Sequence, residues 1–442
     1  MRANALRLLA SVFVLGVSQG AFATDMPARM PAKAFTPVSV WNWTGFYAGV
    51  YAGVGINQSH AIDPVTPRGD IEFLGTGFTG GATAGYNRQF ARNWVAGIEG
   101  DIGYLGLSHD VVQYDDSLST NQKTSWLGTV RGRLGYTSGP TLSYITGGAA
   151  FLGTKDVFAS IAPAATSSSE KTRAGFAIGS GVETRLGGNW TAKSEYLYVD
   201  VGRGDTLTGV FGPLALQTDQ HRYAMQRFGV NYLFGDRPNA PLPQYNWNGF
   251  YAGVLGGSAI SQTKLTDSPD SARGGEFGNH GNGYSFGGTA GFNWQFAPAW
   301  VAGVEGDVSW LGINHSVNDY NQGTALYNLN TKWFATARGR IGYSTGPALL
   351  YVTGGGAWVN YNESWDFGLG TVSSTKTLSG YTVGGGIETM FSLFGPGWTT
   401  KSEYLFVNVG KGDSLNDPST AHITADHQFH LFRSALLYHF GR

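Results

Sequence analysis

In the stretch WVAGIEGDIGY, residues 94–104, the even-numbered and the odd-numbered positions carry different kinds of side chain. Its even-numbered residues are apolar or glycine and carry no charge, and the run begins at Trp94 and ends at Tyr104. Glu99 and Asp101 fall on the opposite face, because the side chains of a β-strand alternate with a period of two. We therefore predict a strand with one uncharged face bounded by aromatic residues and one face that carries carboxylates.

The same stretch returns as WVAGVEGD at residue 300, as part of a repeat that covers most of the chain. The other repeated pairs are WTGFYAGV at 43 and WNGFYAGV at 247, RGRLGYTSGP at 131 and RGRIGYSTGP at 338, and WTAKSEYLYVDVGRGD at 190 and WTTKSEYLFVNVGKGD at 398. Solenoid repeats are roughly 20–50 residues long. Here the matched strings begin at residues 43 and 247, so the repeat is much longer and indicates a duplicated domain. We assign the copies to residues 41–235 and 247–442, joined by a linker at 236–246 whose three prolines disfavour a central strand.

Each copy contains eight segments with period-two alternation. In the first copy they lie near 44–57, 76–90, 94–107, 123–137, 141–155, 172–186, 190–203 and 221–234, and in the second near 248–260, 284–296, 300–313, 331–344, 348–362, 379–391, 398–411 and 426–440. Short turns alternate with long polar connections, as in an up-and-down transmembrane barrel. The sequence therefore predicts an all-β fold of two tandem eight-stranded antiparallel barrels. The alternative is one sixteen-stranded barrel, in which the eighth strand pairs with the strand that begins near Trp247.

The composition excludes several classes of protein. The chain has 442 residues with 67 Gly, 14% aromatic and 13% charged residues, whereas soluble domains average roughly 25% charged residues. A net charge of -1 offers no basic field for nucleic acid. The absence of Cys removes thiolate metal sites and disulfides. An ordinary soluble enzyme and a nucleic-acid-binding protein are therefore both disfavoured.

The charged residues of the strands share one parity and recur in both copies. A shift of register by one residue would place Arg131 and Arg133 in lipid, at roughly 2–4 kcal/mol each near the midplane. Buried charges are tolerated when they are paired, so we predict a narrow lumen crossed by ion pairs. The residues predicted to form them are Glu99, Asp101, Arg131, Arg133, Lys193, Glu195 and Arg227 in the first copy, and Glu305, Asp307, Arg338, Arg340, Lys401, Glu403 and Arg433 in the second.

The first 40 residues read as targeting sequence. Two arginines precede an apolar run, and Ala21-Phe22-Ala23 has the form of a cleavage site. We predict a secretory signal peptide at 1–23 and a periplasmic leader at 24–40.

The repeated strings resemble the OmpA-like, RopB-type immunogenic outer-membrane protein family of porin-like small β-barrels. The resemblance rests on W-x-G-F-Y-A-G, WVAG[IV]EGD, RGR[LI]GY and [AT]KSEYLYV, and it covers almost all of the mature chain. It implies an eight-stranded barrel in the outer membrane of a Gram-negative bacterium, and it supplies no catalytic residue or cofactor. The duplication departs from the single-barrel pattern of the family.

From these observations we expect a structural, surface-exposed and antigen-like protein with little or no open pore. The alternatives are a porin-type channel for small solutes and adhesion or ligand binding through the loops. The expected partners are outer-membrane lipids and the barrel assembly machinery, with no nucleic acid and with any envelope or host partner unknown. Long loops are expected outside the cell, and short turns and both termini in the periplasm.

Two patterns could suggest chemistry. Gly342–Gly346 matches G-x-S-x-G, but it falls in a tight turn between strands and not in the strand-to-helix turn that a nucleophile needs. Ser194 and Ser402 have lipid-facing parity, which separates them from Lys193 and Glu195. We therefore expect no enzyme and no cofactor.

Histidines recur at matched positions near the loop side of the strands. Two imidazoles at one mouth could hold a metal or haem, although the sequence offers no third matched ligand. The alternative is that they are partly solvated rim residues. The matched pairs are His109 with His315, and His221 with His427.

Overall fold

The structure is a computed structural model of the chain. It describes residues 41–62, 70–73, 75–112, 118–160, 164–211, 214–236, 242, 244–267, 276–318, 325–366, 370–417 and 421–441. By internal contact the chain divides into Met1–Ser39 and Val40–Arg442, and every described residue belongs to the second unit. The predicted signal peptide and leader, and most of the predicted linker, lie outside the described residues.

The first copy forms a ring of eight antiparallel strands. Its elements are β1 (Gly45–Ile62), β2 (Asp70–Phe73), β3 (Thr76–Gln89), β4 (Trp94–Val112), β5 (Leu118–Ser138), β6 (Thr141–Ser160), β7 (Ala165–Gly187), β8 (Trp190–Asp200), β9 (Thr206–Phe211) and β10 (Leu214–Leu233). Strand β1 pairs with β10, with Tyr47 opposite Leu233, and this pairing closes the ring. The short strands β2 and β9 pair only at one end of β1 and β10.

The second copy is a closed barrel of eight strands. They are β11 (Gly249–Asp267), β12 (Glu276–Ala297), β13 (Trp300–Asn318), β14 (Ala325–Ser344), β15 (Ala348–Asp366), β16 (Thr371–Met390), β17 (Trp398–Asp417) and β18 (Ala421–His439), with a short 3₁₀ helix at Ser392–Phe394. Strand β11 pairs with β18, with Tyr251 opposite His439. No helix among the described residues is long and apolar enough to cross a membrane.

The prediction of two tandem eight-stranded barrels is confirmed, since the last strand of each copy pairs with the first strand of the same copy. The sixteen-stranded ring does not form. Most strands are longer than predicted, and the segment expected at 172–186 spans Ala165–Gly187, whereas the segment expected at 190–203 ends at Asp200. The extra residues are polar and lack a strict alternation, so periodicity alone did not extend the strands into them.

Each barrel has two unlike ends. We call the end with the short connections, such as residues 139–140 and 188–189, the turn end, and the opposite end the loop end. Outward side chains between them are apolar and exposed, as at Val50, Ile98 and Val304. At the turn end Trp94 packs edge-on against Tyr136, with ring centroids 5.7 Å apart. Such aromatic residues are typical of the boundary of an outer-membrane barrel.

The outward faces of the two copies also contact each other. Ser194 on β8 donates a hydrogen bond to Ser402 on β17, with 3.1 Å between the two Oγ atoms. These serines point outward, as their parity predicts, but they face the neighbouring barrel and not lipid. Parity determines the face of a strand on which a residue lies, whereas it carries no information about what covers that face.

Candidate functional site

The interior of the first barrel carries a layer of charged side chains at mid-height. Glu99 on β4 lies directly opposite Arg131 on β5, and Glu195 on β8 lies opposite Arg227 on β10. Cross-strand neighbours of opposite charge attract each other at this spacing. Because all of these residues have inward parity, the ring gathers them into one buried layer. Its members are Glu99, Asp101, Arg131, Arg133, Lys193, Glu195 and Arg227.

The ion pairs of this layer cross the lumen. Arg131 lies 2.6 Å from Glu99 and 2.8 Å from Asp101, and its other terminal nitrogen lies 3.2 Å from Glu195. Arg227 bridges Asp101, at 3.0 Å, and Glu195. Strands on opposite sides of the barrel are therefore joined through guanidinium groups at its centre.

Lys193 and Arg133 extend the same layer toward the turn end. The Lys193 ammonium lies 3.0 Å from Glu99. Arg133 lies 3.5 Å from Glu99 and 3.1 Å from Glu183 on β7. Glu183 was not among the residues predicted from the sequence.

The second barrel repeats this layer. Arg338 bridges Glu305, Asp307 and Glu403, with 2.9 Å to Asp307 and 3.0 Å to Glu403. Arg433 lies 2.8 Å from Asp307 and 2.6 Å from Glu403. Further contacts of the layer are Lys401 with Glu305 at 2.9 Å, and Arg340 with Glu305 at 3.5 Å and with Glu388 at 3.0 Å.

Two kinds of residue complete the layer, namely two glutamates that were not predicted and several tyrosines of the inward face. Glu183 and Glu388 occupy matched places in the strings GVET and GIET, so the repeat itself carried the signal. Tyrosines from the interior also donate to the carboxylates: Tyr47 to Glu99 at 2.7 Å and Tyr251 to Glu305 at 2.8 Å. A charge-assisted hydrogen bond from a phenol helps to satisfy a buried carboxylate.

A tryptophan closes the interior at the turn end of each barrel. Trp43 precedes β1, and its indole nitrogen donates a hydrogen bond to Thr137 over 2.8 Å. Trp247 precedes β11 and donates in the same way to Ser344 over 2.9 Å. Both side chains are fully buried. The repeated W-x-G-F-Y-A-G string therefore begins with a residue that folds across the barrel end.

An apolar layer fills the interior on the loop side of the charges. In the first barrel it is formed by buried residues of six strands, namely Leu105, Leu107, Leu127, Ala150, Leu152, Ala177, Leu197, Val199, Tyr223 and Met225, with Val201 just beyond β8. The second barrel has a larger cluster that contains five aromatic residues, namely Tyr327, Phe334, Tyr361, Trp365 and Phe429. In both barrels, aromatic, charged and apolar layers thus follow one another along the axis.

The structure describes the side chains of two of the recurring histidines, His221 and His427. His221 is buried in the first barrel, with Nδ1 3.1 Å from Nε2 of Gln122 and Nε2 3.3 Å from Oδ2 of Asp156. His427 is buried in the second barrel, where Nδ1 lies 2.9 Å from Thr263. Both are enclosed, which corrects the expectation of a partly solvated rim. The side chains of His109 and His315 lie outside the described residues.

The remaining candidates for chemistry are a metal site and the serine of the G-x-S-x-G match. Among the described residues no cluster of three or more His, Asp or Glu has a geometry suited to a metal ion. Ser344, the serine of the G-x-S-x-G match, accepts the Trp247 indole hydrogen bond. It ends β14 and is buried.

Comparisons with known proteins agree with the duplicated barrel. A family model described as "Outer membrane protein beta-barrel domain" matches residues 9–234 and again residues 238–440. The 31 kDa outer-membrane immunogenic protein of Brucella melitensis is 34% identical over 240 residues, which are 51% of this chain and 98% of that protein. The 22 kDa outer membrane protein of Rhizobium leguminosarum is 37% identical over 159 residues, 36% of this chain and 64% of that protein. Among solved structures, Neisserial surface protein A matches 43% of this chain and 98% of its own, at 16% identity and a TM-score of 0.25.

Proposed function

Because the chain belongs to the outer membrane protein beta-barrel domain family, we propose that it is a structural, surface-exposed protein with little or no open pore. It resides in the outer membrane, as its relatives do. In this proposal the loop ends of both barrels face outside the cell and the turn ends face the periplasm. The function is non-enzymatic and needs no cofactor.

The observation that carries the proposal is the filled interior. Arg131 reaches carboxylates on two other strands, β4 and β8, and so occupies the centre of the lumen. An eight-stranded barrel has an interior just wide enough for side chains to fill it. A solute that entered would have to displace paired charges, whose separation in a low-dielectric interior is costly.

Planar-bilayer recording tests the closed interior. We expect small or rare openings from the purified chain. The double variant Arg131→Ala/Arg227→Ala removes two guanidinium groups from the lumen of the first barrel, so it should open more often. The matched control Val50→Ala/Val254→Ala alters only outward side chains and should behave like the unchanged protein. Steady porin-scale conductance of the unchanged chain would overturn the proposal in favour of a channel.

A further inference from the structure

One part of the outward surface of each barrel, around Ser194 on β8 and Ser402 on β17, differs from the rest of the barrel exterior. Outward residues elsewhere are exposed, with 64% of Val50 and 67% of Ile98 accessible. On these strands, however, outward Ser194 is 0% and outward Ser402 is 3% accessible. The difference arises because each barrel covers this part of the other.

The residues that meet are matched positions of the two copies. Ser194 and Ser402 occupy the same place in WTAKSEY and WTTKSEY, and they are hydrogen-bonded to each other. Ile56 and Ile260 also occupy one place in the repeat, and both are buried in the cluster that joins the barrels. A surface that contacts its own counterpart is the arrangement of a two-fold symmetric dimer.

The chemistry of this face suits a protein partner better than lipid. Gln226 on β10 donates to Ser194 over 2.9 Å and also lies 3.4 Å from the Ser402 hydroxyl. An amide and two hydroxyls without partners in hydrocarbon would each cost free energy. Hydrogen bonds between membrane segments stabilise their association, so these groups favour contact between the barrels.

The contact extends from the turn end to beyond the charged layer. At the turn end, Ser143 and Thr400 share a hydrogen bond of 2.8 Å. Toward the loop end, Ser258 donates to the Tyr196 hydroxyl over 2.9 Å. Ser194 lies between these two levels, since its neighbours Lys193 and Glu195 belong to the charged layer.

We propose that the two barrels are docked in the membrane as one pseudo-symmetric unit, through a seam centred on Ser194, Gln226 and Ser402. The partner of this surface is the other barrel of the same chain. The linker then joins two barrels that also recognise each other.

A disulfide test uses the fact that the chain has no Cys. The variant Ser194→Cys/Ser402→Cys, with a protease site placed in the linker at 236–246, is expressed in outer membranes and treated with a membrane-permeant oxidant. After cleavage, we expect the two halves to remain joined on a non-reducing gel and to separate on reduction. The control Val50→Cys/Val254→Cys pairs matched outward positions that are both exposed to the surroundings, and its halves should separate without reductant.

A second pair of cysteine substitutions controls for a local folding defect caused by the first pair. Ser143→Cys/Thr400→Cys probes the same seam at the turn end and should also keep the halves joined. The measurement is restricted to barrels that are folded, as judged by heat-modifiable migration. Separate halves in both seam pairs would overturn the proposal. A disulfide between two chains, seen as a product of doubled mass before cleavage, would likewise overturn the intrachain partner.

Discussion

The imidazole of His439 lies 2.7 Å from the carboxylate of Glu388, at a position where the first barrel has Leu233. In the first barrel the matched carboxylate, Glu183, instead accepts a hydrogen bond from Asn231 over 2.9 Å. The second barrel has Leu437 at the place of Asn231. In the second barrel the polar partner of this glutamate therefore lies two residues further along the last strand than in the first barrel. It still points inward, because a shift of two residues preserves parity.

This exchange predicts a coupled pair of substitutions. His439→Leu should destabilise the second barrel by about 1–3 kcal/mol, because a buried carboxylate loses a partner. Adding Leu437→Asn should restore part of the loss, since it reproduces the arrangement of the first barrel. Urea titration of the folded protein in detergent measures both variants. A double variant that is no more stable than His439→Leu would contradict the coupling.

The charged layer predicts unequal costs for two kinds of ion pair. Arg338→Ala should cost about 3–5 kcal/mol, because it leaves carboxylates buried without their counter-charge. Lys155→Ala removes a pair with Glu170 that is 3.6 Å long and largely exposed, so it should cost less than about 1 kcal/mol. Urea titration monitored by gel migration compares them. Equal free energies of unfolding for the two variants would show that the buried ion pairs of the layer matter no more than an exposed pair.

The narrow lumen predicts that one class of glycine cannot be replaced. A Cβ added at Gly85 would lie 2.5 Å from the Tyr47 hydroxyl, whereas one added at Gly339 would meet nothing within 4 Å. Gly85→Ala should therefore cost about 1–3 kcal/mol through overpacking. Gly339→Ala should be tolerated, as measured by the yield of heat-modifiable protein and by urea titration. Equal tolerance of both would argue for a wider interior.

The position of the membrane predicts a difference along a single strand. Val304 and Asn314 both point outward and are exposed on β13, about 33 Å apart at the usual rise of a strand. Val304→Arg should cost roughly 2–4 kcal/mol near the midplane and little near the boundary, so Asn314→Arg is its control. The measurement is the free energy of folding into lipid vesicles. A similar cost at both sites would contradict the assignment of Val304 to the lipid face.

Many of the residues that face the interior could be predicted from the sequence pattern. Glu99 and Arg131 could be placed on one face because the period of a strand is two, and the repeat strengthened each assignment by showing it twice. Glu183 was not predicted, although it is repeated as Glu388 and shares its strand and parity with Arg173 and Arg185. The role of Trp43 could not be predicted, because it precedes the first strand and strand alternation says nothing about the direction of its side chain.

The amino-acid sequence by itself determined the eight main strands of each copy, their inward and outward faces and most of the charged residues of the lumen. These follow from local periodicity and from comparison of the two copies. Only the tertiary structure decided that each copy closes on itself, that Trp43 and Trp247 cover the barrel ends, and that Ser194 meets Ser402. Those facts depend on which distant segments come into contact. The alternation of side chains along one strand does not identify the residues that it contacts on other strands.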